Sequence, residues 1–351
     1  MKIAHIHFYV DDAHLWANWF VQYLNFSRVD NYPRYFSLPW EEIHTKTEVV
    51  CSGSVYFLLS SPVSPQSRVA EYLSHHPAGI ADVAFVVENL EAAIARAEKH
   101  GAKILQPIQQ YQQHHTCIHW CKIAAWGSLT HTLIEYATPL ENITPIPSSA
   151  VNSIDHIVLN VPAGELNSAV DWYEKVLDFY PQQVFNIQTK RSALHSRVML
   201  SSCGTVQFPI NQPATPNSQI QEFLDLNRGA GVQHIALHTQ NMIRAIAQFR
   251  SQGLPFLSVP PTYYSQLAQR PQLPLSPEEI RAIAQQEILV DWNTNKPEAI
   301  LLQIFTQPIF PQPTFFLEFI ERRYQAQGFG EGNFQALFEA MEREQMKRGT
   351  L

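Results

Sequence analysis

The chain repeats itself, and this repeat constrains the fold more than any other feature of the sequence. One copy begins at Ile3 and reads IAHIHFYVDDAHLWANWFVQYLNF, and the other begins at Ile154 and reads IDHIVLNVPAGELNSAVDWYEKVLDF. Each copy predicts a strand that carries a histidine, then a short turn, then a helix that contains an aromatic pair. His5 corresponds to His156, an offset of 151 residues. The sequence therefore predicts two homologous modules of alternating strands and helices.

Two later matches extend the repeat. Asp82 corresponds to His234 at an offset of 152 residues, and LTHTLIEYA resembles PTFFLEFIE, which aligns Glu135 with Glu318 at an offset of 183. The 31 additional residues (183 − 152) fall in a Pro- and Gln-rich stretch that runs from SVPPTYY to EILVDW. This stretch contains SPEEIRAIAQQ, the pattern of a capped helix, and we interpret it as an insertion.

The bulk properties of the chain favour a soluble globular protein of two modules. The join lies in the Pro- and Ser-rich stretch ENITPIPSSAVNS, around residues 141–152, so we expect a first module over 1–145 and a second over 150–351. The net charge is −7 without a basic stripe, which argues against a nucleic-acid partner. We see neither a signal peptide nor a membrane span. The four cysteines favour a reducing, cytoplasmic setting over a disulfide framework.

The stretch GVQHIALHT places two histidines four residues apart, at His234 and His238. Its leading glycine and apolar residues predict a buried strand, in which both histidines point to the same face. They would then lie about 13 Å apart at ~3.3 Å per residue. A metal ion binds imidazole nitrogen at about 2.1 Å, so at most one of the two is a ligand of a given ion.

Three residues of the second module form a candidate metal site. His156, His234 and Glu318 each lie in a predicted strand, and Glu318 lies in the apolar run TFFLEFI. Two imidazoles and one carboxylate occupy one face of an octahedron in non-heme Fe(II) oxygenases, and the opposite face stays open for substrate and dioxygen. The alternatives are ordinary core histidines and a carboxylate that pairs with Arg322 or Arg323. Spacing alone leaves iron, another divalent metal and no metal all open.

Eight ordered blocks over about 200 residues of the second module carry a resemblance to a known family. The blocks are DHIVLNV, ALHSRVMLSS, FPINQP, SQIQEFL, GVQHIALHT, LLQIFTQP, FFLEFIERR and GFGEGNFQALFEAMEREQMKRGTL. They resemble the 4-hydroxyphenylpyruvate dioxygenases, which belong to the vicinal-oxygen-chelate superfamily. The first module resembles this family in architecture and only weakly in sequence. The resemblance implies an α+β fold of two tandem modules, each an incomplete barrel of paired βαβββ units, with a C-terminal lid helix.

The resemblance also implies a cofactor, a reaction and partners. One Fe(II) per chain would be held by His156, His234 and Glu318, and the first module would hold no metal. The substrates would be a small aromatic 2-oxo acid, 4-hydroxyphenylpyruvate, and dioxygen. The products would be homogentisate and carbon dioxide, in tyrosine catabolism or in the supply of quinone or tocopherol precursors. The substrate would chelate the metal through its own keto acid. We expect a homo-oligomer, either a dimer or a tetramer, that binds no membrane.

The residues that would contact the substrate are carried over from the same blocks. Neutral polar groups would hold the ring and its phenol, and aromatic walls would exclude water. The polar residues are Ser196, Asn211, Gln219, Gln233 and Gln303, and of these all except Gln219 are also expected to take part in catalysis; the walls are Phe305, Phe316 and Phe329. The lid helix would present Phe334, Leu337, Phe338 and Met341, a stripe at helical spacing, behind a hinge at GFGEG. His195 departs from the residue expected beside Ser196 and would alter the edge of the pocket.

Three rival interpretations stay open at this point. Hydroxymandelate synthase shares the fold, the ligands and the substrate, but oxidises the benzylic carbon, and the bulk of Phe305 favours the dioxygenase. A binding protein without catalysis could use the same fold, although the complete triad argues against it. A divalent ion in the first module could use His5, Asp82 and Glu135. The roles of these three residues, and of His195 and His238, are not readable from the sequence.

Overall fold

The computed structural model describes residues 1–30, 32, 43–113, 116–137, 150–189, 191–270, 273–293 and 296–350. The predicted join at 141–152 lies largely outside these ranges, so the boundary between residues 1–145 and 150–351 stays a prediction. In the described ranges, no helix combines the length and the apolarity that a bilayer crossing requires.

The first module consists of two βαβββ units that follow each other along the chain. The first unit is β1 (Lys2–Tyr9), α1 (Ala13–Leu24), β2 (Ser27–Arg28), β3 (Thr45–Ser52) and β4 (Val55–Pro62). The helix α2 (Arg68–His75) leads to the second unit, which is β5 (Gly79–Val86), α3 (Leu90–Lys99), β6 (Ile104–Gln113), β7 (Thr116–Ala124) and β8 (Thr130–Tyr136).

The second module repeats this arrangement and adds helices. Its first unit is β9 (Ser153–Asn160), α4 (Leu166–Leu177), β10 (Phe179–Gln188), β11 (Ala193–Ser201) and β12 (Gln207–Pro213). The helix α5 (Gln219–Asn227) leads to β13 (Gly231–His238), α6 (Met242–Ser251), the inserted helices α7 (Pro261–Leu267) and α8 (Pro277–Gln285), and then β14 (Leu289–Asn293), β15 (Lys296–Phe305) and β16 (Phe316–Arg322). The chain closes with α9 (Phe334–Arg348). The predicted helix of the insertion is α8, and the Ser276 side chain caps it by accepting a hydrogen bond from the Glu279 backbone N–H.

Each module builds one eight-stranded sheet, and the two sheets have the same topology. The spatial order is β2-β3-β4-β1-β5-β8-β7-β6 in the first and β10-β11-β12-β9-β13-β16-β15-β14 in the second. The first strands of the two units, β9 and β13, pair antiparallel at the centre, and each is flanked by the parallel last strand of its own unit. Each sheet curls into the predicted incomplete barrel, which confirms the α+β fold. This topology places β9, β13 and β16 side by side.

The structure corrects one predicted correspondence between the modules. The Glu135 side chain accepts a hydrogen bond from the backbone N–H of Leu90 at 2.6 Å, and Glu321 accepts one from Met242 at 2.6 Å. Leu90 and Met242 both begin the helix that follows a central strand. Glu135 therefore corresponds to Glu321 at an offset of 186 residues (321 − 135), and its match to Glu318 was wrong. Both glutamates lie among apolar residues, so the two sequences also match when they are aligned three residues out of register.

Candidate metal centre and substrate cavity

Three side chains of the second sheet converge on one point. His156 comes from β9, His234 from β13 and Glu318 from β16, and their potential ligand atoms all lie within 4.8 Å of one another. Glu318 Oε2 lies 3.2 Å from His156 Nε2 and 3.6 Å from His234 Nε2. His156 and Glu318 are buried, and His234 is nearly so. Among the described residues this is the only group of histidine, cysteine and acidic side chains close enough to hold a metal ion.

A buried acid next to His156 fixes the orientation of its ring. His156 Nδ1 lies 2.9 Å from Asp155 Oδ1, and Arg322 donates to both oxygens of Asp155, from Nε at 2.7 Å and from Nη2 at 2.8 Å. Burial raises the pKa of Asp155, but the hydrogen bonds from Arg322 and His156 outweigh it and hold this pKa well below its ordinary value. Asp155 is therefore ionised, and it favours the tautomer of His156 that keeps its proton on Nδ1.

The electrostatics of the two histidines fit a bound cation. Burial by itself lowers the pKa of His156. The nearby carboxylates of Glu318 and Asp155 raise this pKa by more than burial lowers it, to about 9. Burial lowers the pKa of His234 well below 6.5, and His156 lowers it further. With Nδ1–H turned to Asp155, His156 Nε2 faces a carboxylate oxygen and requires a positive charge, either its own second proton or a cation. Two imidazoles and one carboxylate are the donor set that suits non-heme Fe(II), so the residues present fit such a metal.

The second oxygen of Glu318 anchors a network of hydrogen bonds. Gln303 on β15 donates from Nε2 to Glu318 Oε1 and to the Phe329 carbonyl oxygen, each at 2.9 Å. Asn333 Nδ2 donates to Gln303 Oε1 at 3.0 Å, and Tyr263 from the insertion donates to Asn333 Oδ1 at 2.8 Å. These contacts fix the orientation of the Gln303 amide. They also connect the inserted helix α7 to the candidate metal ligand.

A cavity of about 80 Å³ opens next to the three candidate ligands. It is lined by every side chain that the sequence predicts to contact the substrate, namely Ser196, Asn211, Gln219, Gln233, Gln303, Phe305, Phe316 and Phe329. The predicted stripe of α9 lines it as well, with Phe334, Leu337, Phe338 and Met341. Its lining is predominantly apolar, apart from the ligands and these neutral polar groups, so it suits a largely aromatic ligand with a few polar atoms.

An irregularity in β13 places two consecutive residues at the cavity. In a regular strand Gln233 and His234 would face opposite sides of the sheet. The pairing between β9 and β13 shifts register between Val232 and His234, and it shifts again between Ala236 and Leu237. Gln233 and His234 both line the cavity. The first β-bulge explains how a predicted substrate contact and a predicted ligand can be adjacent in sequence.

The two histidines with undefined roles lie elsewhere. His195 is exposed, and its Nδ1 lies 2.6 Å from Asn186 Oδ1 on the neighbouring strand. It does not line the cavity, so the predicted effect of His195 on the pocket edge was wrong. His238 lies at the end of β13 and is likewise absent from the lining. The supposed partners of Glu318 are also engaged elsewhere, because Arg322 binds Asp155 and Arg323 binds Glu321 and Glu279.

The corresponding position of the first module does not form the predicted alternative metal site. Glu135 caps α3, and the register puts Thr132 where the second module has Glu318. The Lys122 ammonium lies 3.9 Å from the Asp82 carboxylate, and His5 Nδ1 lies 3.2 Å from the Tyr32 hydroxyl. A site from His5, Asp82 and Glu135 is therefore wrong, because its third member is elsewhere and a lysine supplies the positive charge.

Sequence reasoning missed three residues of the site. Asp155 and Arg322 orient a ligand, and Asn333 holds the Gln303 amide. The adjacency of Asp155 and His156 in the block DHIVLNV was the available signal for the first. A regular strand would separate these two side chains, however, and the register shift at Asp155 is not encoded by any local pattern.

We expect the two histidines of β13 to differ in their effect on metal binding. His234→Ala removes an imidazole that faces Glu318, so it should lower divalent-metal affinity by about 100-fold or more. Residues that only hydrogen-bond to metal ligands typically change the affinity by about 10- to 100-fold, and loss of a ligand itself should have a larger effect. His238→Ala should change this affinity by less than about threefold, within the range of surface substitutions. Calorimetric titration of both variants with Co(II) measures the difference. Equal losses would refute the assignment of His234.

Comparisons with known proteins agree with this fold. Residues 153–270 and residues 4–118 each match a family model of the Glyoxalase/Bleomycin resistance protein/Dioxygenase superfamily. A 4-hydroxyphenylpyruvate dioxygenase of Caenorhabditis elegans is 36% identical over 99% of this chain and 92% of its own, and one of Danio rerio is 34% identical over 100% and 92%. A solved structure of a mutant 4-hydroxymandelate synthase from Streptomyces coelicolor superposes with a TM-score of 0.83, at 26% identity and over 98% of both chains.

The duplicated fold and the ligand set therefore define a two-domain protein of the vicinal-oxygen-chelate superfamily. The similarity to the two dioxygenases extends over both modules of the chain. The chain belongs to the 4-hydroxyphenylpyruvate dioxygenase family and is an enzyme of the non-heme dioxygenase class.

Proposed function

We propose that this enzyme is an Fe(II)-dependent 4-hydroxyphenylpyruvate dioxygenase that forms homogentisate and carbon dioxide. The observation that carries the proposal is the cavity itself, which is lined by the three clustered candidate ligands together with neutral amides and phenylalanines. We assign the metal to His156, His234 and Glu318. Fe(II) held there would supply the redox chemistry that activates dioxygen, and it would bind the keto acid of the substrate.

In this proposal the polar lining of the cavity orients the substrate. Ser196, Asn211, Gln219 and Gln233 offer neutral hydrogen bonds to the phenol and the ring edge, and all four are buried. Gln303 keeps Glu318 in position through its bond to Oε1. Correct placement of the reacting carbon contributes much of the rate in such a reaction, so these residues act on turnover as well as on affinity.

The apolar lining excludes water from the reacting groups. The ring of Phe316 stacks on His234 with centroids 4.6 Å apart, and Phe329 packs edge-on against His156 at 5.1 Å. Phe305 meets Phe316 at 6.2 Å. These ring contacts would shield both imidazoles from water when substrate and dioxygen are bound.

The second candidate function is hydroxymandelate synthesis from the same substrate, which the similarity to the 4-hydroxymandelate synthase structure favours. Both reactions share decarboxylation, so carbon dioxide release does not separate them. Phe305 lies opposite Glu318 in the sheet and is buried in the cavity wall. Its bulk moves the ring of the substrate toward the metal, and this supports homogentisate as the main product.

We expect wild-type enzyme to form mainly homogentisate, and Phe305→Ile to divert part of the product to hydroxymandelate. A change of about tenfold in the product ratio corresponds to only ~1.4 kcal/mol between the two barriers. Chromatography of the products measures this ratio. Phe185→Ile is the matched control, because Phe185 contacts Phe329 and Phe334 at the lid side of the cavity and should leave the ratio unchanged. A wild type that makes mainly hydroxymandelate would assign the other reaction.

We expect one Fe(II) per chain after anaerobic loading, because among the residues that the structure describes only the second module has a complete ligand set. Metal analysis of the loaded and desalted protein gives the ratio. Two tightly bound ions per chain would contradict the assignment of the first module as metal-free.

The physiological context of the proposed reaction is tyrosine catabolism or the supply of quinone or tocopherol precursors. A dimer or tetramer and a cytoplasmic location stay predictions from the sequence. A protein that only binds the keto acid would give no product from 4-hydroxyphenylpyruvate and dioxygen after iron loading.

A further inference from the structure

The connection between α6 and β14 is much longer than the corresponding connection in the first module. Residues 252–288 separate α6 from β14, whereas only residues 100–103 separate α3 from β6. The longer connection is the insertion, and its helix α7 carries the buried side chain of Tyr263. The Tyr263 hydroxyl lies 2.8 Å from Asn333 Oδ1. The insertion therefore adds a buried hydroxyl to the network that holds Glu318.

The direction of each hydrogen bond in this network follows from the chemistry of the groups at its end. The carboxylate of Glu318 and the carbonyl oxygen of Phe329 only accept, so the Gln303 amide turns Nε2 to both of them. Gln303 Oε1 is an acceptor, and Asn333 donates to it from Nδ2 at 3.0 Å. The other end of the Asn333 amide, Oδ1, is then turned toward the Tyr263 hydroxyl. Because Oδ1 only accepts, Tyr263 is the donor of this bond.

The backbone of β14 supports the Tyr263 hydroxyl in this role. The Val290 backbone N–H donates to the hydroxyl oxygen at 2.8 Å. The Val290 carbonyl oxygen, at 3.0 Å from the hydroxyl, is the more distant of its two acceptors. Four hydrogen bonds therefore run in one direction, from the Val290 N–H through Tyr263, Asn333 and Gln303 to Glu318 Oε1.

The environment of this chain makes each of its bonds depend on the next. The side chains of Tyr263, Asn333, Gln303 and Glu318 are all buried. At low dielectric, hydrogen bonds in a chain polarise and strengthen one another, and a buried group that loses its partner is costly. Loss of the donor at Tyr263 therefore affects the amides that follow it.

We propose that Tyr263 is a positioning residue for the metal ligand Glu318. Its hydroxyl fixes the amide of Asn333, which fixes the amide of Gln303. Gln303 binds Glu318 Oε1 and thereby leaves Oε2 turned toward the two imidazoles. The insertion thus serves the metal centre of the second module. This inference rests on the proposed function for the role of Glu318 as a ligand, and it does not depend on which product the enzyme forms.

The proposal is tested by removal of the Tyr263 hydroxyl. Tyr263→Phe keeps the ring, and it should lower Co(II) affinity about fivefold, the effect of one lost hydrogen bond. Tyr264→Phe is the matched control, because Tyr264 is the next residue of α7, is also buried and donates to the Ile288 carbonyl oxygen at 3.1 Å. It should change the affinity by less than about twofold. Calorimetric titration measures both, and equal affinities in the two variants would show that Tyr263 has no positioning role.

The visible absorption spectrum of the Co(II) protein separates positioning from a loss of stability. The d–d bands of Co(II) depend on the geometry of its ligands. At saturating Co(II), we expect these bands to shift in Tyr263→Phe and to keep their wild-type positions in Tyr264→Phe. A wild-type spectrum for Tyr263→Phe would overturn the proposal even if its thermal stability is reduced.

A double substitution tests whether Tyr263 acts through Asn333. The variant Tyr263→Phe/Asn333→Ala should bind Co(II) with the same affinity as Asn333→Ala alone, because the intermediate amide is already missing. Effects that multiply would contradict the chain. A wild type that binds no Co(II) would refute the proposed metal site and this inference together, whereas a wild type that binds Co(II) no better than Tyr263→Phe would overturn this inference alone.

Discussion

Glu318→Gln is expected to lower divalent-metal affinity by about 100-fold or more and to remove most of the turnover, with the fold retained. The side chain is 2% exposed and keeps its shape in this change. Its Oε2 faces both imidazoles, so the substitution removes a negative charge from the position at which the metal would bind. Calorimetric titration with Co(II) and far-ultraviolet circular dichroism measure affinity and fold separately.

The matched control is Glu321→Gln, on the same strand. Glu321 is also buried, but it accepts a hydrogen bond from the first residue of α6 and binds Arg323. Its neutralisation should reduce thermal stability and leave metal affinity within about twofold, because it faces away from the ligands. Near wild-type metal binding by Glu318→Gln would show that this carboxylate is structural.

Gly330→Ala is expected to reduce activity by about 100-fold, because a methyl group at this position collides with the amide that holds Glu318. A Cβ atom on Gly330 would lie 1.8 Å from Gln303 Oε1. Gln303 cannot turn aside without breaking its bonds to Glu318, Phe329 and Asn333. Displacement of a group that supports a metal ligand typically lowers metal affinity or activity by about 10- to 100-fold. In this variant the wall of the cavity would be displaced as well.

Gly349→Ala controls for backbone strain in this prediction. Gly330 has a φ of +76° and Gly349 a φ of +73°, so alanine is strained at both positions by about 1 kcal/mol or more. A Cβ atom on Gly349 would meet nothing within 4 Å. We expect its variant to lose a little stability and keep its turnover. Equal losses of activity in both variants would attribute the effect to strain alone. The turnover rate at saturating substrate is the measurement.

The sequence predicted the parts of this fold that repeat or alternate. The duplication predicted two sheets of equal topology, and the His–His–Glu set of three strands predicted which side chains meet. The apolar face of α9 could be predicted from the sequence because its residues recur at the spacing of a helix within one short segment. The α8 helix was readable from its cap and its acidic first turn.

Other features of the site depend on geometry that no local pattern encodes. A β-bulge brings Gln233 to the same cavity as His234, and a bulge adds a single residue without a fixed sequence signature. Tyr263 reaches Asn333 across 70 residues of chain, and this contact exists only after the insertion folds onto the sheet. The misaligned Glu135 shows the converse problem: where a glutamate lies in a nearly continuous apolar run, the letters match at more than one register, although a shift of three residues turns every side chain to the other face.

The two copies of the duplicated unit obtain positive charge in different ways. In the first, Lys122 stands across the sheet from Thr132, as Phe305 stands across from Glu318 in the second, and its ammonium group balances Asp82. This cation is covalently part of the chain, so the charge balance of the first sheet does not depend on any bound ion. In the second, Arg322 balances Asp155, and the charge of Glu318 is balanced either by a second proton on His156 or by the metal ion that we propose there. Duplication has thus left one sheet with a charge balance that is built into the chain, and the other with a charge balance that a proton and a metal ion would compete to supply.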